Sequence, residues 1–255
     1  MNHDAQHFLE LLWSMTEKEL RARYKHTAFG FFWLVANPIL QMIVIGFVFT
    51  FLLKQPVKNY YFFLFNGLLV WNFFSLSLSK ATPSIVYERS LIKKSRFPHA
   101  VIPISIILSN FVHLLVAFTL TLIPVFFLKT LTFVSVPLML MSFVLLIMFT
   151  AGLCLLTSSL NVRFRDVNFF IQAILIIWFY VTPIVYALTM IPRSILWLWR
   201  FNPLISILQL LHMALLGLPG PGWGMLASNI AVILIITIIG IAVFQRESKY
   251  FDDWL

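Results

Sequence analysis

The side chains of this chain best placed for chemistry are charged ones gathered in short polar islands, and the richest island is PSIVYERSLIKKSRFP at 83–98. At helical spacing Ile85, Glu88 and Ile92 fall on one side and Arg89, Lys93 and Arg96 on another. That pattern predicts a short helix with an apolar seat and a charged rim, the form in which a helix docks in a partner's groove. Its four basic residues suit anionic lipid headgroups as well, although lipid binding does not call for the central Glu88. A second island, NVRFRDV at 161–167, puts Arg163, Arg165 and Asp166 within four positions, and an Arg–Asp pair there would lock a turn.

What the chain lacks narrows the chemistry further. Asp and Glu occur only as Asp4, Glu10, Glu17, Glu19, Glu88, Asp166, Glu247, Asp252 and Asp253, so the uncharged runs of 21 to 45 residues contain no carboxylate. Proton and sodium relays inside a membrane usually need one. No G-x-x-x-x-G-K-[ST] loop and no Gly-Lys pair occurs, so any ATP is hydrolysed by another subunit. A membrane-embedded transferase acting on lipid-linked sugars would need a positioned base or nucleophile, for which the buried stretches offer only His113 and His212. Cys154 stands alone, which leaves neither a disulfide framework nor a cysteine metal site.

The elements that must position these residues are membrane spans. With 61% hydrophobic, 16% aromatic and 11% charged residues and a mean hydropathy of +0.95, the chain is far from the globular average. The long uncharged runs predict an all-α integral membrane protein with six transmembrane helices near 31–53, 60–81, 101–127, 134–160, 168–189 and 225–245. An even number puts both termini on one side. The N-terminal arm, Lys80, the islands after spans two and four and the C-terminal tail hold 13 Lys and Arg, against five at Lys54, Lys58, Lys129, Arg193 and Arg200. The positive-inside bias therefore predicts cytoplasmic termini, and it explains the net charge of +9 better than nucleic acid does. The N-terminus has no signal-peptide pattern, so the first span is expected to serve as its own insertion signal.

Phe8, Leu11, Leu12 and Met15 recur at i, i+3, i+4 and i+7 opposite Lys18, Arg21 and Lys25, predicting an N-terminal amphipathic interface helix over 1–28 on the cytoplasmic leaflet. As an anchor for the first span or as a gate, it would look the same in sequence. Pro203 and the segment LGLPGPGWG at 216–224 break the last long run. NPLISILQLLHMALL before the break is only 15 residues long, so a re-entrant helical pair between spans five and six is expected over 191–224. An extra crossing there would make seven spans and place the tail outside, against the charge bias. Most of the many aromatics should face lipid. A subset facing a pore would let sugar rings slide on their C–H faces, with Phe31, Phe32, Trp71, Phe74, Trp178 and Tyr180 as the candidates.

Six segments in order resemble one family: RYKHTAFGFFWLVANPILQMIVIGFVFTFLL at Arg23, SRFPHAVIPIS at Ser95, NVRFRDV at Asn161, TPIVY at Thr182, FNPL at Phe201 and FQRESKYFDDWL at Phe244. End to end, the chain resembles the permease subunit of ABC-2 type exporters of polysaccharides, the group handling O-antigen, capsule and wall teichoic acid. The resemblance implies that 29–255 is an ABC-2 type transmembrane domain in the inner membrane. It implies a homodimer with the channel between protomers and two copies of an ATPase subunit, which carry the ATP and Mg while this chain carries no cofactor. It also implies that 84–96 is the coupling helix entering the ATPase, and that the N-terminal helix gates a lipid-linked glycan. An O-antigen-like, undecaprenyl-diphosphate-linked polymer is the expected cargo, with teichoic acid or capsule as the alternative. Phosphates seek Lys and Arg, so Arg21, Arg23, Lys25 and Lys80 are the candidates to capture its diphosphate. A facilitator driven by its substrate's own gradient would be expected to show inverted halves, and spans one to three and four to six show no convincing similarity.

Overall fold

The computed structural model describes residues 3–24, 32–51, 57, 59–94, 97–128, 132–192 and 194–255. Among these residues there is no strand. The helices are α1 (His3–Tyr24), α2 (Phe32–Phe51), α3 (Tyr60–Tyr87), α4 (Arg89–Lys94), α5 (Val101–Leu128), α6 (Ser135–Arg163), α7 (Asp166–Val181), α8 (Leu196–Trp199), α9 (Pro203–Leu216), α10 (Trp223–Glu247) and α11 (Phe251–Trp254). Short 3-10 turns at Leu188–Met190 and Ser248–Tyr250 complete the set.

Five of these helices, α2, α3, α5, α6 and α10, are long and apolar enough to cross a membrane. The expected span at 168–189 is the exception. Its helix α7 has 16 residues, which at 1.5 Å per residue is about 24 Å against a hydrocarbon core of about 30 Å. The helix stops because Pro183 disfavours helical backbone at the residue before it. Thr182 turns to an extended ψ of 130° while its N–H still donates to the Trp178 carbonyl.

The break between α7 and α10 is built as its residues dictate. The side chain of Asn202 accepts from the Leu204 N–H and Pro203 takes the first helical position, so α9 is capped at its start. It ends at Gly217, whose φ of 65° lies in the left-handed region open to glycine. The following Pro and Gly residues keep the chain out of helix until Gly222 opens α10.

α3 runs through the centre, packed against α2, α5, α6, α7 and α9. Phe74 stacks on Phe149 with centroids 5.5 Å apart, and Trp178 meets both rings edge-on at 5.1 and 5.9 Å. Buried hydroxyls and amides tie the helices: Thr82 to Thr157 at 2.9 Å, Asn110 to Ser77 at 3.0 Å, Thr121 to Asn66 at 3.1 Å and Asn229 to Ser206 at 2.6 Å. In lipid such bonds contribute roughly 0.6–2 kcal/mol each. α10 meets α6 backbone to backbone, since a Cβ on Gly240 would stand 2.1 Å from the Gly152 carbonyl oxygen.

A second, smaller core gathers where α1, α4, the start of α5 and the tail meet. It contains Met15, Ile85, Ile92, Val101, Val162, Phe244 and Phe251, with Phe8, Leu11 and Leu12 packed against it. The apolar stripe of α1, expected to lie on the leaflet, is thus turned onto the protein itself. Among the described residues, the large apolar side chains that α1 leaves exposed are Leu9 and Trp13, one turn apart.

Candidate translocation groove and docking corner

The island at 83–98 forms two helices at an angle where one was expected. α3 continues through Tyr87, and Glu88 caps it with φ −92° and ψ 21°, its N–H reaching the Ser84 carbonyl at 3.0 Å. α4 then starts at Arg89. Ile85 and Ile92 are 0% and 4% exposed, so the apolar seat assigned to a partner is filled by the chain's own Met15, Phe251 and neighbours. Arg89, Lys93 and Lys94 remain exposed, a basic rim; Arg96 lies outside the described residues. Glu88 accepts a 2.7 Å charge-assisted hydrogen bond from the Lys18 Nζ, which ties α1 to the corner between α3 and α4.

The second island also differs from expectation. α6 ends at Arg163, Phe164 is extended, and α7 starts at Asp166, whose carboxylate suits a helix N-terminus. Among the described residues Asp166 makes no ion pair with Arg163 or Arg165, both of which are exposed with it. The Arg163 guanidinium instead stands 5.2 Å from the Phe164 ring centroid and 5.6 Å from that of Trp254. The C-terminal hook is held by Phe251, fully buried and edge-on to Phe244 at 5.6 Å.

Two adjoining cavities lie along α3 from this corner. The first, about 350 Å³, opens between Glu19 of α1, Lys80, Tyr87, Glu88, Ser105 and Asn168. The second, about 650 Å³, is a broad groove between α3 and α7 lined by Trp71, Ser75, Phe169, Ile176, Phe179 and Tyr180. Ser79 and Gln172 line both, so the mouth adjoins the groove. The described lining carries its charges at the mouth and only rings, hydroxyls, an amide and aliphatic groups in the groove. Such a surface can hold flat, uncharged, hydroxyl-bearing units without fixing any one of them.

Of the phosphate candidates, Lys80 lines the mouth with Glu19 and Glu88 beside it. Arg21 is exposed and ion-paired to Glu17 one turn back. Arg23 belongs to α1 but its side chain, like all of Lys25, lies outside the described residues. Of the aromatic candidates, Trp71 and Tyr180 line the groove. Phe74 is fully enclosed in the core, and Trp178 is committed to Phe74, to Phe149 and, through its indole N–H, to the Asn202 side chain at 3.2 Å. Phe32 is exposed at the start of α2, and Phe31 lies outside the described residues. Ser75 and Ser79 were missed as groove residues. They follow Trp71 at i+4 and i+8, a polar row on one face of an apolar helix that the sequence displays.

The sequence profile of the ABC-2 type transporter family matches residues 10–216, from within α1 to the last residue of α9. The chain belongs to the ABC-2 type transporter family. Two ABC-2 relatives from Klebsiella pneumoniae, each an O-antigen export system permease protein RfbA, are 31% identical over 264 and 272 residues, covering 100% of this chain and 98% of the relative. A third protein of that name, from Myxococcus xanthus, is 35% identical over 207 residues, 78% of this chain and 77% of its own length. Mouth, groove and corner all fall within the segment that carries the ABC-2 match.

Proposed function

We propose that the protein is the membrane subunit of an ATP-driven exporter that moves a lipid-linked polysaccharide of the O-antigen kind outward through a channel between two copies of the chain. The observation that carries this reading is the uncharged aromatic and hydroxyl groove along α3 and α7, entered through a mouth that holds Lys80. The full-length likeness to permeases named for O-antigen export supports it.

In this account α7 and the bent segment after it complete a sixth crossing, and α8 with α9 form a re-entrant pair at the outer face. Both termini lie in the cytoplasm, and the membrane is the inner one. Leu9 and Trp13 of α1 enter the leaflet while its opposite face holds the corner. Lys80, with Arg21, Arg23 and Lys25 of the N-terminal arm, receives the diphosphate of the carrier, and the sugar units then pass over Trp71, Tyr180, Ser75 and Gln172. Two ATPase subunits, which bind ATP and Mg, press on the basic rim of α4 and on Arg163, Arg165 and Asp166. Their closure is passed to α1 through Lys18 and Glu88 and opens the mouth. Teichoic acid or capsule as cargo would use the same parts.

Purification in mild detergent from the native membrane tests the assembly. Two copies of this chain with two of an ATPase support the reading; a chain stable alone, with no ATPase, contradicts it.

A further inference from the structure

A third cavity, of about 410 Å³, lies on the other side of α3, enclosed by α2 and α5. It meets the groove at Ser75, which lines both. Its polar walls come from three helices: Asn37 and Gln41 of α2, Asn72 of α3, and Asn110 and His113 of α5, with Trp33 at one edge.

We infer that this cavity binds a neutral, hydroxyl-rich sugar unit. The inference rests on the glycan-export reading and adds to it a holding site beside the groove.

Three observations carry it. No Lys, Arg, Asp or Glu is among the described lining residues, whereas the mouth holds Lys80, so the cavity favours an uncharged ligand over a phosphate. The amides of Asn37, Gln41 and Asn72 are also incompletely used. Asn72 donates to Gln41 across α2 and α3 at 3.0 Å, which leaves the Gln41 amide N–H groups and further acceptor capacity on Asn72. Asn37 makes no side-chain hydrogen bond among the described residues. Polar groups left unmatched within a bilayer are costly, so donors and acceptors gathered around one void call for a ligand offering both, as a hydroxyl does. The third observation is size. The cavity's volume falls within the range of about 300–1,000 Å³ usual for small-molecule sites.

The test uses the permease with its ATPase in lipid nanodiscs, a methyl glucoside and a methyl N-acetylglucosaminide as phosphate-free probes, and saturation-transfer NMR. Leu76→Phe fills the void without deleting a hydrogen bond, and Asn37→Leu removes an amide that no other described side chain uses. The wild type is expected to transfer saturation to the ring protons of a glycoside, and each variant to lose at least about fivefold of that signal while ATP hydrolysis persists. No signal in the wild type, as for a cavity holding water only, overturns the inference. An undiminished signal in both variants also overturns it. ATP-dependent export by the same wild-type preparation is measured separately. Loss of export alone strikes the exporter reading, whereas intact export with variant-insensitive glycoside binding strikes only the cavity.

Discussion

Removing the carboxylate at Glu88 should weaken export while barely changing stability, because two small effects on the fold oppose each other. The Lys18–Glu88 contact is short, but the side chains are 54% and 27% exposed, so it stabilises the seating of α1 by only about 0.5–1 kcal/mol. Glu88 also sits at the C-terminal end of α3, where a negative charge costs about 0.3–1 kcal/mol against the helix dipole, offset in part by its place just ahead of the short α4. Glu88→Ala removes both, and the net change in folding should fall within roughly 0.5 kcal/mol. The link between α1 and the corner has no such compensation. Losing about 0.5–1 kcal/mol there shifts the seated and unseated positions of α1 by roughly two- to fivefold. The expected phenotype is normal insertion, ATP hydrolysis within about twofold of wild type, and export per ATP lower by roughly two- to fivefold. Lys18→Glu should behave likewise, and Lys18→Glu with Glu88→Lys should recover most of the loss. The assay is ATP turnover and glycan export in inverted vesicles, with wild type, Lys18→Glu, Glu88→Lys and the swap forming a double-mutant cycle and Glu88→Ala read beside it. Wild-type export by Glu88→Ala, or no recovery in the charge swap, refutes the reasoning.

Gly240→Leu places a branched side chain where a Cβ already meets the Gly152 carbonyl at 2.1 Å, so the α6–α10 contact must open; folded yield and thermal stability in detergent should both fall sharply. Asn202→Leu removes the cap of α9, the acceptor for the Trp178 indole and the donor to Thr182, and should cost about 1–3 kcal/mol by thermal unfolding. Phe251→Ala empties a fully buried site under α4, for which large-to-small changes cost about 3–5 kcal/mol. Because the small second core holds α4 in place, co-purification of the ATPase should drop well before the spans unfold, as read by subunit ratio and circular dichroism.

The spans were legible because a run without charge long enough to cross a bilayer has few other uses, and α2, α3, α5, α6 and α10 lie over the expected spans, with α3 running on past its own to Tyr87. The stop after α7 was legible too, in Thr182–Pro183, but hydropathy continues through it and hid the bend. Amphipathic stripes were less informative. The spacing of Phe8, Leu11, Leu12 and Met15, or of Ile85 and Ile92, says that a face is covered but not what covers it, and here the two stripes cover each other. Lys18 and Glu88 stand 70 positions apart, with nothing local to mark them as partners. Among the aromatics, Trp71 and Phe74 are three positions apart on one helix, yet one lines the groove and the other is sealed in the core. That division depends on where α6 and α7 pack against α3, which no local pattern states.

The most direct test of the central claim loads inverted membrane vesicles, containing the permease and its ATPase, with lipid-linked glycan on the exposed cytoplasmic face. The account predicts ATP-dependent passage of the glycan into the lumen, lowered by Trp71→Ala in the groove while ATP hydrolysis continues. Passage without ATP, or no passage with an active ATPase assembled, would contradict it.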